Sequence, residues 1–210
     1  MAGAADMANA EDAAKRAEGA SASRVPEDAA GGYGAAAKIN GVPVVTVTGF
    51  SDSGKTTFLT EVVSLLAGEG VRVGVVKNHG HAAGGVDQEG KDTWKYTQAG
   101  ANPVVLSASG QYAVFTSTPD APATREELVA RIAGDVDLVV VEGFSSAAEG
   151  AVEVSRKATG KGPKLSVQER IALVSDDEEL RWQMRAWGKP VFDMDDFAGF
   201  ARWLRDYARV

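Results

Sequence analysis

Residues 43–57 read Pro-Val-Val-Thr-Val-Thr-Gly-Phe-Ser-Asp-Ser-Gly-Lys-Thr-Thr, and this stretch decides the fold. The apolar, β-branched run at residues 44–48 predicts a buried strand. Gly49, Gly54, Lys55 and Thr56 then satisfy G-x-x-x-x-G-K-[ST], the phosphate-binding P-loop. Apolar residues at helical spacing follow, namely Phe58, Leu59, Val62, Val63, Leu65 and Leu66. The motif therefore lies between a strand and a helix, which is the context that a P-loop requires.

The loop residues have the chemistry of a phosphate site. Glycines let successive backbone N–H groups point at phosphate oxygens, and the following helix adds the positive end of its dipole. Lys55 supplies a charge for the β- and γ-phosphates, and the Thr56 hydroxyl is a ligand for Mg²⁺. The residues predicted to hold the nucleotide are Gly49, Phe50, Ser51, Asp52, Ser53, Gly54, Lys55, Thr56 and Thr57. The alternative, a glycine-rich turn before an ordinary helix, is disfavoured by the strand–loop–helix context.

Asp52 is an unusual residue for a P-loop. Its carboxylate repels phosphate, but aspartate tolerates the left-handed backbone that such a loop can need. We therefore expect Asp52 to serve the conformation of the loop.

Composition excludes several classes of function. The 210 residues suffice for one α/β domain with a sizeable core. The net charge is −7 with both signs interspersed, so no basic patch makes nucleic acid a main partner. Without cysteine the chain has no disulfide, thiolate nucleophile or cysteine-type zinc site. We also expect no membrane span and no signal sequence, and hence a cytoplasmic protein.

The first 38 residues differ in composition from the rest. Residues 1–38 are rich in alanine and carry few large apolar side chains, which predicts a disordered extension. A P-loop nucleotide-binding domain is predicted for residues 39–210. Within it, strands alternate with helices, which favours a three-layer α/β P-loop NTPase with a doubly wound, mostly parallel sheet.

Several elements of that domain can be predicted individually. Buried strands are predicted at residues 71–76 and 171–174, and an adjacent strand pair at 104–106 and 112–115. Alternating polarity over residues 152–156 predicts an edge strand or a hairpin arm. Two helices are predicted to begin with capping boxes, formed by Thr124 with Glu127 and by Ser175 with Glu178.

Glu142 ends a third apolar run, Leu138-Val139-Val140-Val141, and precedes Gly143. This is the pattern of a Walker B strand, which delivers one carboxylate to the carboxyl edge of the sheet to bind Mg²⁺ directly or through water. We therefore predict a metal or catalytic role for Glu142.

His79 and His81 follow the strand predicted at residues 71–76. Two histidines without a third ligand make a poor metal site. Contact with phosphate or a partner and an ordinary solvated loop both stay open, since ligands of open α/β sheets bind at the carboxyl ends of strands.

An ordered set of motifs resembles the MobB family, the molybdopterin-guanine dinucleotide biosynthesis adaptor proteins. The set comprises the P-loop, Val73-Gly-Val-Val-Lys77 with its histidine-containing tail, Asp87, Gly90-Lys-Asp-Thr93, Ala99-Gly-Ala101, Asp137-Leu-Val-Val-Val-Glu-Gly-Phe144 and the strand containing Glu153 and Arg156. The resemblance runs from about residue 41 to the C-terminus. Two features depart from the family pattern: Asp52 stands where the family usually has glycine, and the stretch at residues 77–81 is a looser version of a histidine-rich segment.

The resemblance implies a GTP-binding, typically homodimeric protein that assists the guanylyltransferase joining GMP to molybdopterin. It also implies that residues 49–57 hold the phosphates of GTP and that Asp92 and Glu142 lie near Mg²⁺, as metal ligands or catalytic carboxylates. No arginine lies in or next to the P-loop in sequence, and Arg156 is the nearest candidate beside a motif. Because an arginine finger contributes much of the rate of GTP hydrolysis, we expect at most a weak GTPase.

Two other functions compete with the adaptor. A small P-loop kinase is disfavoured because no arginine-rich lid segment is found. A GTP-driven metal-insertion chaperone, using His79 and His81, is disfavoured by the absence of cysteine and of a dense histidine tract. No N-K-x-D element reads guanine, so GTP over ATP rests on the resemblance. Asp176 could read a base, or be an acid in the first turn of a helix.

Overall fold

The computed structural model describes residues 35–79, 86–144 and 150–210. Its strands are β1 (Ala37–Ile39), β2 (Val42–Thr48), β3 (Val73–Lys77), β4 (Val104–Ala108), β5 (Gln111–Phe115), β6 (Leu138–Glu142), β7 (Ala151–Ser155), β8 (Arg170–Ser175) and β9 (Val191–Phe192). Its helices are α1 (Lys55–Gly68), α2 (Asp92–Gln98), α3 (Arg125–Ile132), α4 (Glu178–Ala186) and α5 (Phe197–Ala208). Short 3-10 turns occupy Ala133–Asp135 and Lys157–Thr159. No helix among these is long and apolar enough to cross a membrane.

Seven strands form one sheet, in the order β3-β6-β2-β7-β8-β9, with β1 paired to the beginning of β2. Only the β1–β2 pair is antiparallel within this sheet, and the other pairs are parallel. β2 lies in the middle, so the P-loop leaves the sheet at the centre of its carboxyl edge. The end of β6 lies on one side, because Val47 pairs with Glu142. β7 lies on the other side, where Thr48 pairs with Glu153 and the strand continues for two more residues.

Helices cover both faces of the sheet, which gives the predicted three layers. On one face α1 and α5 pack on β2, β6, β7 and β8 through residues such as Phe58, Val62, Phe200 and Leu204. On the other face Val129 of α3 packs on a smaller cluster of valines. A strand covered on both faces has no polar side, which explains the continuous apolar runs of β2 and β6. The predicted fold class is confirmed.

β7 is the main correction to the sequence predictions. The alternation Val152-Glu153-Val154-Ser155 predicts an edge strand or hairpin arm, but β7 is a central parallel strand with all five residues buried. Glu153 can lie in the core because it forms an ion pair with Arg170 of β8, with 2.7 Å between carboxylate and guanidinium. In the sequence, a charged residue that is buried in an ion pair looks the same as an exposed polar residue. The alternation was therefore wrongly interpreted as an edge strand.

Of the two capping boxes that the sequence predicts, one is present in the structure. The capping box of Thr124 and Glu127 is confirmed, with both side chains bonded to the backbone. The second predicted box is wrong, because Ser175 ends β8 and Asp177 caps α4 by accepting the N–H groups of Glu179 and Leu180. Both residue types can cap a helix, so composition alone cannot place the first turn.

The predicted strand pair at residues 104–115 is also confirmed. β4 and β5 form a separate antiparallel hairpin that pairs with no other described strand. At the start of the described chain, Ala36 is buried and its N–H contacts the carbonyl of Tyr207 on α5. The domain therefore includes residues 36–38, which precede the boundary that composition suggests.

Candidate nucleotide-binding site

The P-loop can lie directly against β7 because Gly49 has no side chain. A Cβ there would lie 2.2 Å from the carbonyl oxygen of Val154, and the backbone has a φ of 149°. Only glycine can occupy such a position without moving the neighbouring strand. The loop ends at Gly54, which caps α1 in the left-handed conformation.

Asp52 adopts the left-handed backbone that its residue type allows. Its φ is 65°, in a region that aspartate visits more readily than most residues. The expectation for Asp52 is confirmed, since the loop obtains this conformation without a glycine.

Lys55 reaches back over the loop. Its ammonium group donates to the carbonyl oxygen of Phe50 at 2.7 Å and lies 3.5 Å from the Ser53 hydroxyl. The pKa of Lys55 is lowered, mainly because burial penalises its charged form. Glu142 opposes this shift, and the charges of Lys164 and Lys77 reinforce it. The ammonium group is therefore held where a bound phosphate would give it a better partner than a carbonyl oxygen.

Thr56, Glu142 and Lys77 meet at the first turn of α1. The Thr56 hydroxyl donates to Glu142 Oε1 at 2.8 Å, and Lys77 Nζ donates to the same hydroxyl at 3.0 Å. Lys77 also lies 3.5 Å from Glu142 Oε1. The structure thus brings two of the three predicted metal ligands together and adds a lysine to which the sequence assigned no role. Lys77 is found here because β3 pairs with β6, with Lys77 beside Glu142.

The residues of this cluster fit a magnesium ion. Hydroxyl and carboxylate oxygens are the ligands that Mg²⁺ prefers, usually with waters and phosphate oxygens completing the octahedron. The Lys77 ammonium group lies beside both the Thr56 hydroxyl and the Glu142 carboxylate, so the cluster already accommodates a cation. Thr56 and Glu142 would hold the ion.

Asp92, the third predicted ligand, forms its ion pair within its own helix and not with Thr56 or Glu142. It is the first residue of α2, its side chain is 89% exposed, and it pairs with Lys95 at 3.3 Å. Its role as a metal ligand or catalytic carboxylate stays a prediction, as do the phosphate contacts of residues 49–57.

The other candidates have simpler surroundings. His79 is exposed, and His81 lies outside the described residues. No group of three or more histidine, aspartate or glutamate side chains that could hold a metal is found in the described part of the chain. Asp176 accepts the backbone N–H of Lys157 at 2.7 Å and precedes the cap of α4, so it tethers a loop and is not in the helix.

Arg156 does lie against the P-loop, although it is distant in sequence. Its guanidinium would be 3.2 Å from a Cβ on Gly54, and its Nε is buried without a hydrogen-bond partner. The parallel pairing of β2 with β7 brings this arginine to the loop. It contacts the end of the loop where α1 begins.

Comparison with known proteins places these features in one family. The family model of molybdopterin guanine dinucleotide synthesis protein B, MobB, matches residues 44–176. The molybdopterin-guanine dinucleotide biosynthesis adapter protein of Haemophilus influenzae is 34% identical over 142 residues, which are 67% of this chain and 78% of that protein. Its Escherichia coli counterpart is 27% identical over 173 residues, 79% of this chain and 93% of that protein. The crystal structure of Bacillus subtilis MobB matches with a TM-score of 0.62 at 26% identity, covering 79% of this chain and 98% of that one.

Proposed function

This chain belongs to the MobB family of molybdopterin guanine dinucleotide synthesis proteins, and we propose that it is a GTP-binding adaptor for the guanylyltransferase that joins GMP to molybdopterin. The resemblance that the motifs indicate is thereby confirmed, and the role in molybdopterin guanine dinucleotide synthesis follows from it. The proposal adds three statements to family membership: the nucleotide is GTP, the partner is the guanylyltransferase, and the protein is cytoplasmic.

The observation that carries nucleotide binding is the preformed cradle between β2 and α1. No side chain caps α1, because its cap residue is Gly54, so its first N–H groups can face a phosphate. Lys55 can exchange the Phe50 carbonyl for the β- and γ-phosphate oxygens with a short movement of its ammonium group. Such an exchange replaces a neutral acceptor with a charged one, which strengthens the hydrogen bond.

Thr56 and Glu142 support magnesium as the partner of the nucleotide. The chemistry that Mg²⁺ supplies when bound is neutralisation of charge across the β- and γ-phosphates. Glu142 already accepts from Thr56 and lies beside Lys77, so its carboxylate is oriented for a cation at the end of β6.

We further propose that hydrolysis of GTP by the isolated protein is slow. A fast GTPase needs a positioned water, a base and an added positive charge at the γ-phosphate. Glu142 is engaged by Thr56 and Lys77, and Arg156 contacts the Gly54 end of the loop, where α1 begins. We expect turnover below about 10⁻² s⁻¹, near the low end of the range for P-loop proteins.

A competitive binding experiment tests the nucleotide. The full chain should bind GTP more tightly than ATP, and Mg²⁺ should strengthen the binding of either triphosphate. Lys55→Ala should lower triphosphate affinity at least tenfold, because charge-assisted hydrogen bonds contribute about 1.5–3 kcal/mol. Lys38→Met removes a lysine from β1 and is the matched control. Equal affinities for GTP and ATP would contradict the choice of GTP, and an unchanged affinity in Lys55→Ala would contradict the site.

Reconstitution tests the adaptor role. Added to the guanylyltransferase with molybdopterin and GTP, the protein should raise the yield of molybdopterin guanine dinucleotide, and Lys55→Ala should not. No increase with the unaltered chain at saturating GTP would rule out the adaptor, and turnover of GTP above about 1 s⁻¹ without a partner would indicate an enzyme.

The β4–β5 hairpin supports the proposed homodimer. Val105 and Val114 are a cross-strand pair and Tyr112 lies on the same face, yet these side chains are 51–73% exposed. A two-stranded hairpin alone is marginally stable in water, so a partner surface would stabilise it. We propose that a second copy covers this face. The double variant Val105→Glu, Tyr112→Glu should sediment as a monomer where the unaltered protein sediments as a dimer, and an unchanged sedimentation coefficient would refute this interface.

A further inference from the structure

The segment at residues 156–165, between β7 and β8, concentrates positive charge in an otherwise acidic protein. Its sequence is Arg-Lys-Ala-Thr-Gly-Lys-Gly-Pro-Lys-Leu, with four basic residues and no acidic one, against a net charge of −7 for the chain. We call it the lysine loop. The three lysines are exposed.

Both ends of the lysine loop are fastened to the sheet. At its start, the Lys157 N–H donates to Asp176, and the 3-10 turn that follows is closed by Thr159 on the Arg156 carbonyl. At its end, the N–H groups of Lys164 and Leu165 donate to the buried carboxylate of Glu153. That carboxylate is itself held by Arg170. The backbone of the loop is therefore fixed before any ligand binds.

Two of the three lysine side chains converge on the first half of the P-loop. Lys161 Nζ and Lys164 Nζ lie 5.3 Å and 5.9 Å from the ring centroid of Phe50. The carbonyl of the same residue accepts from Lys55. Three ammonium groups thus surround one residue of the P-loop, and the Lys164 charge is among the causes that lower the pKa of Lys55. Aromatic contacts at exposed sites stabilise a cation only weakly, so an anion would be the better partner for these groups.

The end of the cradle at which the lysines lie determines which phosphate they could reach. The backbone N–H groups of a P-loop hold the α- and β-phosphates, and the P-loop lysine reaches on to the β- and γ-phosphates. Lys161 and Lys164 lie over the ring of Phe50, whose carbonyl accepts from Lys55, and the Lys164 charge acts on Lys55. Arg156 packs instead at Gly54, where α1 begins. The two lysines are therefore at the γ-phosphate end.

We propose that Lys161 and Lys164 form a site for the terminal phosphate of a bound nucleoside triphosphate, by which the protein distinguishes triphosphate from diphosphate. This inference rests on the proposed nucleotide binding and adds residues outside the P-loop motif. The two lysines leave the Phe50 ring and pair with the γ-phosphate, whose charge offsets their repulsion of Lys55. They bind the triphosphate in its ground state, so they raise affinity without raising the rate of hydrolysis.

The affinity ratio between a non-hydrolysable GTP analogue and GDP tests this site. It should be measured by calorimetry with Mg²⁺, for the full chain and for the double variant Lys161→Met, Lys164→Met. Methionine keeps an apolar stem of similar length and removes the charge. The matched control, Lys38→Met with Arg202→Met, removes two exposed basic residues elsewhere. A second double variant, Lys161→Arg with Lys164→Arg, keeps the charges.

We expect the double methionine variant to lose about tenfold or more in affinity for the triphosphate analogue, on the scale of one charge-assisted hydrogen bond. Its affinity for GDP, its melting temperature and both affinities of the control should stay close to those of the unaltered chain. The arginine variant should keep the preference for triphosphate. Equal losses for both nucleotides, or no loss, would overturn this inference alone. An unaltered chain that binds neither nucleotide would overturn the proposed function as well.

Discussion

The buried pair of Glu153 and Arg170 offers the sharpest test of how the site is supported. Their side chains are 1% and 2% exposed, and the carboxylate accepts from the Arg170 guanidinium and from two backbone N–H groups. Arg170→Met leaves a buried carboxylate without a counter-charge. Removing one partner of a buried pair costs about 3–5 kcal/mol, a large part of the 5–15 kcal/mol that stabilises a typical domain.

The pair should show strong coupling in a double-mutant cycle. Glu153→Gln keeps an acceptor for the loop but leaves Arg170 unpaired, so it should also cost about 3–5 kcal/mol. The double variant buries no net charge, and it should cost far less than the sum of the two single changes. Urea denaturation followed by circular dichroism gives the free energies of unfolding, and the melting temperature of each single variant should fall by about 10 °C.

A control variant distinguishes the effect of burying an ion pair from the effect of charge pairing alone. Arg72 and Asp137 form an equally short pair, 2.6 Å apart, but their side chains are 62% and 36% exposed. Arg72→Met should therefore change stability little. If the two single changes at Glu153 and Arg170 add without coupling, or if Arg170→Met is as mild as Arg72→Met, the account of β7 given above is wrong.

Three further predictions concern the P-loop and the chain start. Gly49→Ala should lower both the melting temperature and nucleotide affinity, because its Cβ meets the Val154 carbonyl at 2.2 Å, whereas Gly134→Ala meets nothing within 4 Å and should do neither. The pKa of Lys55 is lowered mainly by burial, so stability should rise with pH between that lowered pKa and the ordinary lysine value. Over the same pH range, triphosphate binding should take up a proton, and the affinity should fall as pH rises. Calorimetry in buffers of different ionisation enthalpy measures this uptake, and binding without it would contradict the prediction. Deleting residues 1–34 should leave the melting temperature unchanged, while deleting 1–39 should lower it because β1 and Ala36 are lost; equal effects would show that β1 adds nothing.

The sequence by itself determined the features that depend on short stretches of chain. The P-loop motif is defined by eight consecutive residues, so the motif, the strand before it and the helix after it could be predicted together. Asp52 is a similar case, because the backbone preference of one residue type suffices to predict its conformation. The position of Glu142 beside the P-loop could be predicted because a buried strand delivers its last residue to the edge where the P-loop lies, and its role there stays a prediction.

Only the tertiary structure decided which distant residues join that site. Lys77 reaches Thr56 through the pairing of β3 with β6, and Arg156 reaches Gly54 through the pairing of β2 with β7. The position of β7 in the sheet was mispredicted because a buried ion pair looks like an exposed polar residue in sequence. Parallel register and charge pairing join residues far apart in the chain, so neither can be deduced from local periodicity. The lysine loop depends on both, since β7 brings it to the P-loop and Glu153 fixes its end.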